Sequence, residues 1–356
     1  MRTADCDDQR TQGLKCEGHM LHEADVVIIG AGPVGLFAIF ECGMAKLNCH
    51  VVDAFEKIGG QCSALYPEKP IYDIAAYPAI AAQDLIDQLE KQAKPFHPTY
   101  HLNQQVTAIT QLNDQGTDWK VITSTGAEIK AKSIIIAAGV GAFGPNRPPL
   151  ANIELFEGTS IHYAVRHKDT YKDKHVVIAG GGDSAVDWAL ILKDIASSVS
   201  VVHRRAKFRA APASEARLNG AASNGEIQLV VPYQLSGLQG SDGVLQSVEV
   251  ESLDGQKKLL KADYLLPFFG LSMDLGPIAE WNIGLEKNYI AIDQATSATN
   301  RPGIYAIGDI ATYPHKLKLI LTGFAEAAQA AHAIRHHLFP DEVMHFEYST
   351  TKGVPG

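Results

Sequence analysis

Cysteine is scarce. Five occur in 356 residues (Cys6, Cys16, Cys42, Cys49 and Cys62). An odd number spread so thinly excludes a disulfide framework and points to a reducing compartment, the cytoplasm. Long apolar runs are lacking too. The stretch from Val26 to Phe40 is shorter than a membrane span and is broken by Gly30, Gly32, Pro33 and Gly35, so no membrane span is expected. Positive charge is not in excess: 31 Lys and Arg against 40 Asp and Glu leave a net charge of −9, which argues against nucleic acid as a partner. With 46% hydrophobic and 20% charged residues the composition fits neither a disordered chain nor a coiled coil. Residues 1–23 lack the apolar segment of a secretory signal and read as a polar extension, with Met20 as an alternative start.

Glycine is plentiful, at 31 residues. It marks a large-scale duplication. Ala24 to Phe40 and Lys174 to Leu190 each begin with a β-branched run, meet a Gly-rich turn and continue with helical periodicity. A further strand follows each, around Val51 and Val201. The pattern predicts two βαβ units. Antiparallel strands are predicted at 106–109 and 120–123, a buried strand at 133–139, and a strand-rich stretch with a hairpin at Asp254-Gly255. Another buried strand is expected at 303–309, and an amphipathic helix at about 322–337. The expected organisation is interleaved: a first domain at 24–139, a second at 140–281, and a return to the first at 282–356.

The first turn, Gly30-Ala31-Gly32-Pro33-Val34-Gly35, is a G-x-G-x-x-G opening from a strand into a helix. Such a turn lets a pyrophosphate approach the backbone and meet the helix N-terminus. Asp53 follows at the end of the next strand, where an acid accepts hydrogen bonds from ribose hydroxyls and disfavours a 2′-phosphate. That combination suits the ADP half of FAD. Gly59-Gly60-Gln61 and the Gly308-Asp309 strand end support the same site. The second turn, Gly180-Gly181-Gly182-Asp183-Ser184-Ala185, is a G-x-G-x-x-A. Where the acid would stand there is His203, followed by Arg204, Arg205 and Arg209. Guanidinium forks match a phosphate, so this site suits NADPH. Two dinucleotide sites in one chain imply an electron relay.

These motifs, with HRRAKFRA and GIYAIGD, resemble the thioredoxin-reductase-like branch of the two-dinucleotide flavoproteins. GGQCSALYPEKPIYDI (59–74), AFGP (142–145) and EYSTTKG (347–353) narrow the resemblance to type 2 ferredoxin–NADP reductases. The resemblance implies an α/β fold of two Rossmann-like, three-layer ββα dinucleotide-binding domains, the NADPH domain inserted in the FAD domain. It also implies a homodimer with one non-covalent FAD per chain. On that basis Asp53, Gly60, Gln61, Tyr66, Val106 (through its backbone), Phe143, Asp309 and Thr350 line FAD. Tyr66, Tyr348 and Ser349 stack on or tune the flavin, and no dedicated catalytic acid or base is expected. The activity implied is hydride transfer between NADP(H) and flavin and single-electron transfer between flavin and ferredoxin, with flavodoxin or another small acceptor as the alternative.

Neighbouring activities leave different marks. A dithiol reductase needs a C-x-x-C or C-x-x-x-x-C; none is present, since the partner position of Cys62 is Pro67. A flavin-dependent NADPH monooxygenase is the rival enzyme, because Phe156-x-Gly158-x-x-x-His162 is part of its fingerprint, although Arg166 stands at the closing aromatic position. A flavin-containing scaffold without electron transfer is the non-enzymatic alternative. No metal is expected: His332 and His336 lie one turn apart but have no evident further ligand. Because ferredoxins are acidic, a local basic patch should dock them, either Arg166, Lys168, Lys172 and Lys174 or Lys316 and Lys318.

Overall fold

The computed structural model describes residues 21–342 and 353, with backbone alone at 142, 143 and 273. The chain forms two units. The first gathers the residues up to Ser63, Pro70–Ala142 and the chain from Asp274 onward; the second holds Ala64–Lys69 and Phe143–Met273. The second unit is therefore inserted in the first, and the return crossing lies nearer Met273 than the expected 281. Residues 274–281 stay with the first unit because Trp281 is buried there and its carbonyl accepts a hydrogen bond from Arg301 Nη1 at 2.7 Å.

The first unit is built on a parallel sheet. Strand Leu21–Ile29 lies at its centre, flanked by Cys49–Val52 and Glu128–Ile136, with Thr99–His101 beyond the former and Ile304–Ala306 beside the latter. Leu21 to Glu23 do not belong to a free extension: they pair with Glu128 to Lys130. Buried β-branched residues (Val26 to Ile28, Val51 and Ile134 to Ile136) suit strands covered on both faces. Glu128–Ile136 joins the parallel and antiparallel parts of this one seven-stranded sheet. Its first half pairs antiparallel with Trp119–Thr123, itself paired with Val106–Gln111, and its second half pairs parallel with Ile304–Ala306. That meander is the third layer of the expected ββα arrangement.

Helices Pro33–Met44 and Ile320–Leu338 pack on each other. The long helix buries Gly323, Ala327, Ala330, Ala331 and Ile334, an i, i+4, i+7, i+8, i+11 stripe of small and branched residues. The absence of a side chain at Gly323 lets Val34 approach: a Cβ there would lie 2.4 Å from a Val34 methyl. Phe37 and Phe324 meet with ring centroids 4.7 Å apart.

The second unit repeats the plan. Four parallel strands run in the order Gln228–Val230, Ser198–Val202, His175–Ala179, Tyr264–Pro267, with an antiparallel meander of Tyr233–Ser241, Val244–Ser252 and Lys257–Lys261. The turn at Asp254-Gly255 closes the hairpin between the last two, as expected. One core forms between helix Asp183–Leu192 and the parallel sheet around Trp188, Ile178 and Val201; another forms between the sheet and the meander around Phe156, Val248 and Leu265.

Candidate functional site

In the first unit, strand Leu21–Ile29 delivers the glycine turn and helix Pro33–Met44 begins at once, with Gly32 in the N-cap position. No side chain caps this helix, and Pro33 has no N–H to satisfy, so the free N–H groups of its first turn are available to an anion. A Cβ added at Gly32 would meet nothing within 4 Å. Open space thus faces an uncapped helix N-terminus, the requirement of a pyrophosphate site. Gly35 behaves in the opposite way: a Cβ there would come within 1.9 Å of the Gly30 carbonyl oxygen, because helix and strand touch at this point. Gly35→Ala is therefore expected to cost about 1–3 kcal/mol of overpacking and to lower the FAD content of the purified protein. The third position of the second turn already holds a buried Ala185, so Ala185→Gly should cost about 1 kcal/mol at most. Thermal melts with flavin absorbance per chain compare the two.

Asp53 is 8% exposed and sits against the glycine turn. One carboxylate oxygen accepts the Ala31 N–H at 2.6 Å, the other the Phe55 N–H at 2.8 Å. Burial pushes its pKa up, and these two N–H groups pull it back down. The backbone ties neighbouring segments to it: Gln104 N–H donates to the Asp53 carbonyl and Asn103 N–H to that of Phe55, which places Val106 close behind. Gly59 N–H donates to the Ala31 carbonyl at 2.8 Å, so Gly60 and Gln61 fold onto the turn. Gln61 Nε2 lies 3.6 Å from where a Cβ of Gly139 would be.

Asp309 arrives from the other side. It lies in the turn Gly308–Ile310 after strand Ile304–Ala306, and a Cβ added at Gly308 would lie 3.5 Å from Val34 of the glycine turn. Burial raises the Asp309 pKa, and the charges of Lys318 and Lys316 act against that. The turn itself is held by a buried group that the motif reading missed. Glu326, 2% exposed, accepts the Gly308 N–H at 2.7 Å, the Tyr313 hydroxyl at 2.9 Å and Lys316 Nζ at 2.5 Å. Lys316 Nζ also donates to the Gly308 carbonyl at 2.7 Å. Lys316 is thus a buried structural cation and drops out as a docking residue, while Lys318 stays exposed, its ammonium over the Tyr289 ring.

The second unit presents the counterpart. Gly182 caps helix Asp183–Leu192 without a side-chain bond, and a Cβ at Gly182 would also meet open space. His203 takes the place that Asp53 holds in the first unit. Its ring lies against Gly181, where an added Cβ would come within 2.2 Å, and it is 8% exposed. Its Nε2 finds no hydrogen-bond partner. Burial first, then the charges of Arg204 and Arg209, lower its pKa. Arg204, Arg205 and Arg209 are exposed. Their loop is fixed at both ends. Tyr233 N–H donates to the His203 carbonyl and Arg209 N–H to the Gly181 carbonyl at 2.6 Å. Asp183, expected at the nucleotide, uses one carboxylate oxygen to accept the Ala211 N–H at 2.9 Å and so holds the arginine loop in place. Ser184 follows it in the first turn of the helix.

Tyr66 is grouped with the second unit. It packs on that unit's helix-side core within Ala64–Lys69, which is pinned by a Lys69–Asp187 ion pair at 2.7 Å and by Lys168 N–H donating to Glu68 at 2.9 Å. The Phe143 side chain, Tyr348, Ser349 and Thr350 lie outside the described residues. Cys62 is a buried residue of helix Gly60–Leu65. The partial monooxygenase fingerprint is absorbed by the fold: Phe156 is in the core, and His162 is half-buried with Nδ1 2.9 Å from the Tyr171 hydroxyl.

Two uncapped glycine turns on two parallel sheets, one keyed by a carboxylate and one by guanidinium groups, define an oxidoreductase with two dinucleotide sites. The chain belongs to the pyridine nucleotide-disulphide oxidoreductase family, whose model matches residues 24–335. A ferredoxin–NADP reductase of Paramagnetospirillum magneticum is 60% identical over 334 residues, 94% of this chain and 98% of the relative. One of Rhodospirillum rubrum is 59% identical over 93% of this chain and 96% of its own length. Among solved structures, a thioredoxin reductase of Lactococcus lactis superposes with a TM-score of 0.76 at 26% identity, covering 89% of this chain and 99% of that one.

Proposed function

We propose that this chain is an FAD-dependent ferredoxin–NADP reductase. The observation that carries the reading is 60% identity along nearly the whole of both chains to a ferredoxin–NADP reductase. The two sites support it. The first turn, with Asp53, Gly60, Gln61, Val106 and Asp309, has the open space and free N–H groups that FAD needs. The second, with Gly180, Gly182, Ser184, Ala185, His203 and the three arginines, has those that NADPH needs. The chain lacks the paired cysteines of its disulfide-reducing relatives.

When bound, FAD supplies the conversion between two-electron hydride chemistry with NADP(H) and one-electron chemistry with ferredoxin. The protein's part is to bind and orient. The helix N-termini would hold the pyrophosphates, Asp53 would accept hydrogen bonds from the adenosine ribose of FAD, and Arg204 and Arg205 would bind the 2′-phosphate of NADPH. Asp183 and Glu326 position those groups without touching the reacting atoms. No described side chain is required as an acid or base, since hydride transfer depends on alignment.

Arg166, Lys168, Lys172 and Lys174 are all exposed and form the proposed docking patch for ferredoxin, and for flavodoxin as an alternative acceptor. A cytoplasmic homodimer completes the proposal. Among the described residues no helix is long and apolar enough to cross a membrane.

The test is NADPH-driven cytochrome c reduction with and without ferredoxin. Strong stimulation by ferredoxin, with NADH a poor substitute, is the expected result. If NADPH reduces the flavin and ferredoxin adds nothing, the acceptor is a different one.

A further inference from the structure

Three histidines from three adjacent strands of the first unit converge. His22 is the second residue of the central strand Leu21–Ile29, His50 lies in Cys49–Val52, and His101 ends Thr99–His101. Each offers a ring nitrogen, and these nitrogens all lie within 4.8 Å of one another. His50 Nδ1 and His101 Nε2 are 3.0 Å apart. The ring centroids are separated by 5.5, 4.9 and 5.1 Å. Tetrahedral Zn²⁺ with Zn–N of about 2.0–2.1 Å holds its imidazole nitrogens about 3.4 Å apart. His50 Nδ1 and His101 Nε2 share a hydrogen bond at 3.0 Å, which a bound ion would replace, opening that separation to about 3.4 Å. The third nitrogen belongs to His22, near the start of its strand. His22 and His50 are half-buried and His101 is 7% exposed.

We infer that His22, His50 and His101 form a site for one borderline divalent transition-metal ion, Zn²⁺ in the first instance, distinct from both dinucleotide sites. Three imidazoles without a carboxylate or thiolate select Zn²⁺, Co²⁺, Ni²⁺ or Cu²⁺ over Mg²⁺ and Ca²⁺. The position gives the ion a structural task. His101 is the residue whose carbonyl accepts the Asp53 N–H at 3.1 Å, so the metal would clamp the two strands that carry and brace that acid.

The experiment uses the FAD-loaded full chain without any affinity tag. Co²⁺ is titrated while the ligand-field absorption is followed at wavelengths beyond the flavin bands. Zn²⁺ content is counted per chain after dialysis, and the melting temperature is recorded with Zn²⁺ or a chelator. The expected result is one tetrahedral Co²⁺ per chain, displaced by Zn²⁺, and a melting temperature that rises with Zn²⁺. His50→Ala and His101→Ala should abolish the band, and so should His22→Asn, a smaller change near the start of its strand that keeps the test open if the alanine variants fail to fold. His332→Ala/His336→Ala should leave it intact. Persistence of the band in His22→Asn, its loss in the His332/His336 variant, or no stoichiometric metal in the parent protein would overturn the assignment.

Discussion

Replacing Arg204 and Arg205 together by Gln should leave a yellow, folded protein whose kcat/KM for NADPH falls by two orders of magnitude or more while that for NADH barely moves. A charge-assisted hydrogen bond to a phosphate is worth about 1.5–3 kcal/mol, so two lost bonds amount to at least about 3 kcal/mol, and each 1.4 kcal/mol is a factor of ten. The arginines are exposed and, among the described residues, neither is held in an ion pair with a carboxylate. The change therefore removes ligand contacts without releasing a protein partner. The loop itself should survive, because the Arg209 and Ala211 backbone N–H groups hold it to Gly181 and Asp183. Steady-state kinetics with both nucleotides reads the outcome. An equal loss for NADPH and NADH would mean that the arginines shape the loop and do not meet the 2′-phosphate.

Glu326→Ala should be the most destabilising single change away from the glycine turns. The side chains of Glu326 and Lys316 are only 3% and 5% exposed. Removing one partner of a buried pair strands the other's charge and costs about 3–5 kcal/mol. Here it also takes the acceptor from the Gly308 N–H and the Tyr313 hydroxyl. Lys316→Met should cost less, since Glu326 keeps those two donors. Urea unfolding of the FAD-loaded protein measures both, and a loss below about 1 kcal/mol for Glu326→Ala would contradict the buried-charge account. Because the Gly308 turn carries Asp309, FAD release should accompany the loss of stability.

Much of this architecture was legible in the sequence because it rests on local rules. A β-branched run, a glycine turn and an acid or arginine one strand later are read within a few dozen residues, and both turns lie where that reading puts them. What escaped it depends on distant parts of the chain. Lys316 read as a surface cation because nothing in the preceding loop reveals that Glu326, on the next helix, is buried opposite it. Leu21 to Glu23 look polar and form strand only because Glu128 to Lys130 supply the partner edge. Ala64–Lys69 continues the first glycine-rich segment in sequence, yet it belongs to the second unit, where Lys69 and Glu68 find their partners in Asp187 and Lys168. The three converging histidines are spread over 80 residues, and they meet only because the strand order places their strands side by side.

The small excursion at Ala64–Lys69 limits how this protein can be taken apart. A graft that exchanged the nucleotide-selective module of one reductase for another's, cut between 142 and 143 and between 273 and 274, would look complete on a linear map. It would nevertheless leave behind six residues that the module uses as part of its own surface. The incoming piece would then meet a foreign Tyr66–Lys69 segment with no assurance of a carboxylate at the place of Asp187. Chimeras that carry 64–69 along with 143–273 should express and hold their nucleotide, and those that omit it should be the ones that aggregate.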